Sequence, residues 1–262
     1  MAEKFVRFEQ RGAAGILTFN APERLNALNS AALDDLGAAL EGLGKDLPAR
    51  MRALVVTGEG KAFIAGADIK EMEQMTPGEA AAFSRKGQEV MNRLASFPLP
   101  VIAAVNGFAL GGGLETALAC DFIYVSEKAR LGLPETTLGI FPGFSGNRRL
   151  KERIGAARAK ELIFTGRIIR PEEALALGLV NKVCVPETLM DEVLAVVEEM
   201  TRTSPHSVAR VKEYLNYSGG AEEALLDRLE QDRFGLLFGH PDQREGMAAF
   251  LTKKEAKWRS EK

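Results

Sequence analysis

Two hydrophobic rhythms alternate along the first two-thirds of the chain. Short unbroken apolar runs, the signature of strands, are followed by segments in which apolar residues recur every three or four positions, the signature of amphipathic helices. Residues 15–19 and 53–57 read as strands, the second ending at Gly58. Residues 30–43 read as a helix with Ser30 as its N-cap. Thr76-Pro77-Gly78-Glu79 has the spacing of a capping box with proline in the first helical position, and predicts a helix that Pro98 and Pro100 stop near Ser96. Residues 101–105 are apolar without alternation, as expected of a strand covered on both faces. Residues 122–125 form another strand, and 180–185 the last clear one.

From Pro186 onward the pattern turns helical. Pro241 to Glu245 has the form of a helix start, and Leu225, Leu226, Leu229, Phe234, Leu237 and Phe238 make a dense apolar stripe that suits a core or a subunit interface equally. These patterns predict an α/β catalytic core over residues 1–195 and a helical region over 196–262.

Composition narrows the function. The 262 residues are 46% hydrophobic and 27% charged, with a formal net charge of −2, so no general attraction to nucleic acid or an anionic membrane is expected. No window reaches the roughly 20 apolar residues of a membrane span. The opening Met1-Ala2-Glu3-Lys4-Phe5 has no apolar leader pattern, which points to a cytoplasmic protein. Two cysteines, Cys120 and Cys184, stand in apolar company and read as reduced core thiols. Two histidines, His206 and His240, lie far apart beside prolines and belong to no ligand-spaced cluster, so a metal centre is not expected. Acid–base chemistry would then fall to carboxylates.

The stretch 101–135 supplies them. After its apolar strand come Gly111, Gly112 and Gly113, then Glu115 in the first turn of a predicted helix, then Glu135 behind Pro134. Glycines at a helix start leave backbone N–H groups bare and open to close approach, a setting that welcomes an anion. A phosphate loop would need a Gly-Lys-Ser/Thr ending and a dinucleotide fingerprint a Gly-x-Gly-x-x-Gly; neither is present. Tight strand-to-helix packing would also explain the triplet. A second glycine–alanine loop, Ala62-Phe63-Ile64-Ala65-Gly66-Ala67-Asp68-Ile69-Lys70, follows the 53–57 strand, and two such loops could each aim an amide at one oxyanion. The apolar neighbours of Glu135 are expected to raise its pKa by desolvation, which suits proton transfer near neutral pH.

Over nearly its whole length the chain resembles the crotonase (enoyl-CoA hydratase/isomerase) superfamily. Asn20-Ala21-Pro22-Glu23-Arg24-Leu25-Asn26-Ala27-Leu28 is similar to an early family segment, residues 63–70 to the first oxyanion loop, 106–115 to the second, and Leu133-Pro134-Glu135 carries the second carboxylate. The resemblance implies a spiral of ββα units followed by a helical trimerisation region, assembled as a trimer or a dimer of trimers. It gives Ala67 and Gly112 the oxyanion-binding amides, and Glu115 and Glu135 the catalytic carboxylates. It places Ala65, Gly66, Asp68, Ile69 and Gly111 along the CoA and acyl site, with Phe250 and Lys253 completing it near the CoA phosphate. The chain departs from the family's frequent Pro-Gly-x-Gly-Gly-Thr-Gln-Arg-Leu at residues 142–150, has Leu133 where many hydratases have glutamine, and has Leu114 where a smaller residue is common.

The expected activity is therefore addition of water to a trans-2-enoyl-CoA. Glu115 would activate water and Glu135 deliver the C2 proton, with no cofactor beyond the CoA of the substrate. Double-bond isomerisation, which can run on one carboxylate, is the neighbouring alternative. RNA binding through Lys253, Lys254, Lys257, Arg259 and Lys262 is the alternative of another class.

Overall fold

A positive-φ glycine, Gly12, turns strand β1 (Val6–Arg11) back onto β2 (Ala14–Phe19) as an antiparallel pair. After helix α1 (Ser30–Lys45) the chain repeats one plan: two strands, then helix. β3 (Ala53–Gly58) and β4 (Ala62–Ile64) lead into α2 (Ile69–Met72) and α3 (Pro77–Ala95). β5 (Val101–Val105) and β6 (Phe108–Leu110) lead into α4 (Gly112–Leu118). β7 (Phe122–Ser126) and β8 (Arg130–Gly132) lead through a 3-10 turn (Pro134–Leu138) into α5 (Gly146–Ile154), α6 (Ala156–Thr165) and α7 (Pro171–Ala176). β9 (Lys182–Cys184), α8 (Leu189–Met200) and α9 (Pro205–Tyr217) follow. This computed structural model describes residues 4–48, 50–73 and 75–217, together with 241, 245, 252 and 254.

The first strand of each repeat enters one sheet of order β1-β2-β3-β5-β7-β9, and the second enters a smaller sheet of order β4-β6-β8. Every strand pair after the first is parallel. The ββα plan expected from the resemblance is thus visible as strands dealt alternately to two sheets. The two-faced β5 confirms the reading of its unbroken apolar run, since all five residues are buried. Val101, Ala103 and Val105 face the main core with Leu33, Leu36, Met91 and Leu94, while Ile102 and Ala104 face a second cluster that includes Leu189, Val193 and Val197 of α8. The expected break at residue 195 falls inside α8, which packs on β3, β5 and β7.

Some element ends differ from the sequence reading. The N-cap of α1 is Asn29, not Ser30: Asn29 has extended backbone and its Oδ1 accepts the Ala32 N–H at 2.8 Å. Ser30 is already helical, and its N–H and hydroxyl both donate to the Glu71 carboxylate. The last strand is shorter than 180–185, because its pairing partner β7 ends at Ser126. The capping box at Thr76 and Glu79 forms as expected, and α3 stops at Ala95. Cys120 and Cys184 are buried free thiols. No helix among the described residues is long and apolar enough to cross a membrane. The apolar stripe at 225–238, Phe250, Lys253 and, apart from Lys254, the terminal basic cluster lie outside the described residues.

One buried side chain ties the first repeat to the second. Asn26 is 2% exposed and left-handed (φ 58°), and its amide holds three backbone groups: it accepts the Ala21 N–H at 2.9 Å and donates to the carbonyls of Glu59 at 3.0 Å and Ala62 at 2.8 Å. Asn26→Ala loses all three bonds and keeps a backbone conformation that alanine disfavours. It is expected to lower unfolding free energy by about 3 kcal/mol, read from the urea midpoint at unchanged m-value.

Candidate active site

The segment that Asn26 anchors supports the first small-residue loop. Leu25 accepts the Ala65 N–H at 3.0 Å, Leu28 donates to Gly66 at 2.8 Å, and Leu28 accepts the Asp68 N–H at 2.8 Å. Leu28 and Ala67 thereby form an isolated parallel bridge. In such a bridge the residue between the two bonded peptides turns its own N–H away from its partner, and the Ala67 amide has no acceptor among the described residues. Asp68 caps α2 by accepting the Lys70 N–H at 3.0 Å, and Ile69, 51% exposed, opens that helix at the surface.

The second loop lies against the first. Gly111 has φ 50° and ψ −123°, a backbone region open to glycine, and immediately precedes α4. A Cβ built there would stand 3.8 Å from the Gly66 Cα and 2.9 Å from Glu135 Oε1. A Cβ on Gly113 would overlap the Ile64 carbonyl, and one on Gly112 would stand 3.2 Å from Leu28 Cδ1. The three glycines let the start of α4 press onto β4, onto Leu28 and onto Glu135 at once. Gly112, in the first turn of α4, has no helical acceptor for its N–H. Ala67, in the first loop, and Gly112, at the start of α4, therefore lie on adjoining segments, each with an amide that has no acceptor among the described residues.

Glu115 is 2% exposed, so it is a core carboxylate rather than a solvated one. Its own N–H donates to the Gly111 carbonyl at 2.9 Å. Its Oε1 accepts two backbone N–H groups, from Phe144 at 2.8 Å and Gly146 at 2.7 Å. Ser145 between them is left-handed (φ 76°, ψ 16°), which turns both N–H groups to one side in the manner of a backbone anion nest. Gly146 must be glycine, since a Cβ there would stand 2.7 Å from both Glu115 Cγ and Oε1. Among the described residues no donor reaches Glu115 Oε2.

Glu135 comes from the 3-10 turn after β8 and is half-buried. Its Oε2 is buried without a hydrogen-bond partner among the described residues. Burial raises both carboxyls. The Glu115 pKa is pushed up to about 7, by burial first and by the charge of Glu135 second, against the lowering effect of the Gly146 and Phe144 N–H groups and of Arg149. That of Glu135 is raised to about 6, again by burial. The sequence reading anticipated the rise at Glu135; the larger one at Glu115 follows from its depth.

The four residues singled out as catalytic thus converge, with Gly66 and Gly111 at the join. Ala65 and Asp68 frame the first loop; Phe250 and Lys253 lie outside the described residues. The sequence reading missed the holders of Glu115. They are backbone amides of a segment noted only for departing from a family pattern, and Arg149, whose buried guanidinium donates to the Phe144 carbonyl at 3.1 Å and to Asn92 Oδ1 at 2.8 Å. The surviving Arg149-Leu150 of that pattern was the available signal. No group of three or more His, Cys, Asp or Glu among the described residues could hold a metal. A cavity of about 820 Å³ lies elsewhere, behind α4 between Asp121, Arg153 and Lys212, and neither glutamate lines it.

Comparison with known proteins shows the family. The family profile described as enoyl-CoA hydratase/isomerase matches residues 9–261. The chain is 40% identical over 251 residues to the short-chain-enoyl-CoA hydratase of Clostridium acetobutylicum, covering 95% of each. It is 40% identical over 257 residues to the crotonyl-CoA hydratase of Syntrophomonas wolfei, covering 98% of each. The crystal structure of an enoyl-CoA hydratase from Bacillus anthracis superposes with a TM-score of 0.91 at 35% identity, over 96% of this chain and 98% of that one.

The depth of Glu115 has a cost that pH exposes. Its ordinary pKa of 4.5 becomes about 7 in the folded chain, so the folded state holds the proton more tightly than the unfolded one. This contribution to stability is complete below about 4.5 and is lost as pH rises through about 7. Glu115→Gln removes that loss. Relative to wild type the variant is expected to gain about 3 kcal/mol on going from pH 4.5 to pH 8, measured by paired denaturant titrations.

Proposed function

The chain belongs to the enoyl-CoA hydratase/isomerase family, and on that premise we propose that it adds water reversibly to a trans-2-enoyl-CoA, giving a 3-hydroxyacyl-CoA. The observation that carries the reading is the join at Gly111. One residue touches the first loop through Gly66, abuts the Glu135 carboxylate, and accepts the N–H of Glu115. A thioester whose oxygen lies between the Ala67 and Gly112 amides would thus have a carboxyl group on either side of its reacting carbons.

The chemistry follows from that placement. Attack at C3 drives electron density onto the thioester oxygen, where two preorganised N–H donors stabilise it; losing one such donor typically costs about 10²–10³ in rate. Water gives a proton to Glu115 as its oxygen bonds to C3, and Glu135 gives its proton to C2. Those roles need Glu115 ionised and Glu135 protonated. In the open site burial alone favours the proton on Glu115, but the hydrogen bonding favours the working order. Glu115 Oε1 takes two N–H donors from another segment, which stabilise a carboxylate, whereas Glu135 takes only its own backbone N–H and its buried Oε2 has no partner among the described residues. A bound acyl chain would strip water from half-exposed Glu135, while Glu115 has almost none left to lose. Substrate binding would therefore raise Glu135 past its partner, separating the pair into base and acid.

The same proposal places the CoA along Ala65, Asp68 and Ile69, asks for no other cofactor, and locates the enzyme in the cytoplasm. It also includes assembly as a trimer or a dimer of trimers, supported by the exposed aromatic residues Phe141 (70% exposed) and Phe164 (74% exposed). The presence of two carboxyls rather than one favours hydration over isomerisation.

Turnover of crotonyl-CoA, followed as loss of the enoyl-thioester absorbance, tests the assignment. Wild type is expected to be active, and Glu115→Gln and Glu135→Gln each to lower kcat by about 10²-fold or more. The wild-type kcat/KM should trace a bell with limbs near about 6 and about 7, because the reaction needs one proton on the pair. A folded wild type inert toward short and medium enoyl-CoA thioesters, or variants as fast as wild type, would overturn the reading.

A further inference from the structure

Arg149 is 7% exposed, and among the described residues no carboxylate lies within ion-pair distance of it. Burying a guanidinium without a paired anion is expensive, and burial lowers its pKa. Its two hydrogen bonds go to neutral oxygens instead, the Phe144 carbonyl and the Asn92 side chain. The Phe144 carbonyl belongs to the peptide that joins Phe144 to Ser145. That peptide lies between the two peptides whose N–H groups converge on Glu115 Oε1. Anchoring the middle peptide fixes the direction of both its neighbours.

The far side of the same turn is held by one stripe of α3. The Gly143 carbonyl, on the peptide that carries the Phe144 N–H, accepts from Ser84 Oγ at 2.7 Å and from Gln88 Nε2 at 3.0 Å. Asn92, the partner of Arg149, is four residues further on. Residues spaced by four lie above one another on a helix, so Ser84, Gln88 and Asn92 form a single polar rail under residues 142–146. Gly87 on the neighbouring row leaves room for the Phe144 ring, which packs edge-on against Phe83 at 5.3 Å.

We propose that Arg149 is a positioning residue, clamping residues 142–146 onto the α3 rail so that two backbone N–H groups keep Glu115 aimed and its carboxylate form accessible. It does not touch the substrate; it acts through the Phe144 peptide. This inference rests on the hydratase reading for its kinetic consequence, but not for its effect on Glu115. Among the described residues the charged groups facing Glu115 are Glu135 and Arg149; those facing Arg149 are Arg148, Glu115 and Glu152, with the Cys120 thiol beside them. Loss of the guanidinium removes a nearby positive charge and loosens two N–H donors, and both changes favour protonated Glu115.

Carboxyl carbon NMR of Glu115, with crotonyl-CoA turnover in parallel, tests this on wild type, Arg149→Met, Arg149→Lys and Asn92→Ala. The Glu115 titration midpoint is expected to move up by about half a unit or more in Arg149→Met, and by less in Arg149→Lys, which keeps the charge but not the two-pronged geometry. Across the same pair kcat should fall by about ten- to a hundredfold with KM changed less than about twofold, because the defect lies in orientation rather than CoA binding. If Arg149→Met does not fold, Asn92→Ala, which changes an exposed residue, should still show a smaller upward move of the midpoint. A Glu115 midpoint unmoved in the folded variants, or an unchanged kcat with its acidic limb in place, would overturn the inference. A wild type without turnover would instead sink the hydratase reading, and the titration would still decide the role of Arg149.

Discussion

Everything at this site depends on how closely the first turn of α4 approaches the backbone in front of it. Helices usually keep their neighbours at side-chain distance. Here a Cβ at Gly113 would overlap the Ile64 carbonyl, and one at Gly107, just upstream, would overlap the Lys61 carbonyl. The contacts are backbone on backbone. They leave β4 and the start of α4 in one fixed relation and bring Gly66 next to Gly111. They also set the depth of Glu115, since it is one turn along the same helix. The approach of the Gly112 amide to the first loop and the depth of Glu115 are therefore a single geometric consequence of residues without side chains.

That depth is not favourable for folding. A carboxyl group at 2% exposure beside another carboxyl resists ionisation, and the two N–H donors return only part of the loss. Buried Arg149 adds a second cost, with no ion pair among the described residues to offset it. A chain selected for stability alone would fill this volume with apolar side chains. The main core shows that it can, packing Leu28, Phe63, Leu114 and Phe144 around the same elements. The environment of this polar cluster, which raises both carboxyls toward neutral pH, separates it from the solvated glutamates elsewhere on the surface.

Much of this could be read in the sequence, and the boundary of what could is physical. The strands declared themselves through unbroken apolar runs, and α3 through Thr76, Pro77 and Glu79, because those signals are local. The glycine triplet and both glutamates stood out because their residue types are specific to what they do. The N-cap of α1 was misread by one position because Asn29 and Ser30 can both cap, and the choice is settled by Glu71, 41 residues away, which takes the Ser30 hydroxyl. The support of Glu115 was invisible for a different reason. It consists of N–H groups, which every residue but proline has, and of an Arg149–Asn92 contact across 57 residues. Periodicity and composition carry no record of either.

The same distinction explains why a departure from the family pattern at 142–150 leaves the site intact. Phe144 contributes its N–H to Glu115 and its carbonyl to Arg149, so its side chain could change as long as something made room for it; Gly87 does. Ser145 contributes only a left-handed turn, which glycine would adopt with less strain but which a small polar residue can still reach. Asn147 donates to the Pro142 carbonyl at 2.8 Å and closes the turn from within. Gly146 and Arg149 have no such freedom: one is limited by the Glu115 side chain and the other supplies a donor geometry that lysine lacks. Ser145, which departs from the pattern, acts through its backbone, and Asn147 closes the turn with its own amide; Gly146 and Arg149, which match the pattern, act through the absence and the shape of a side chain.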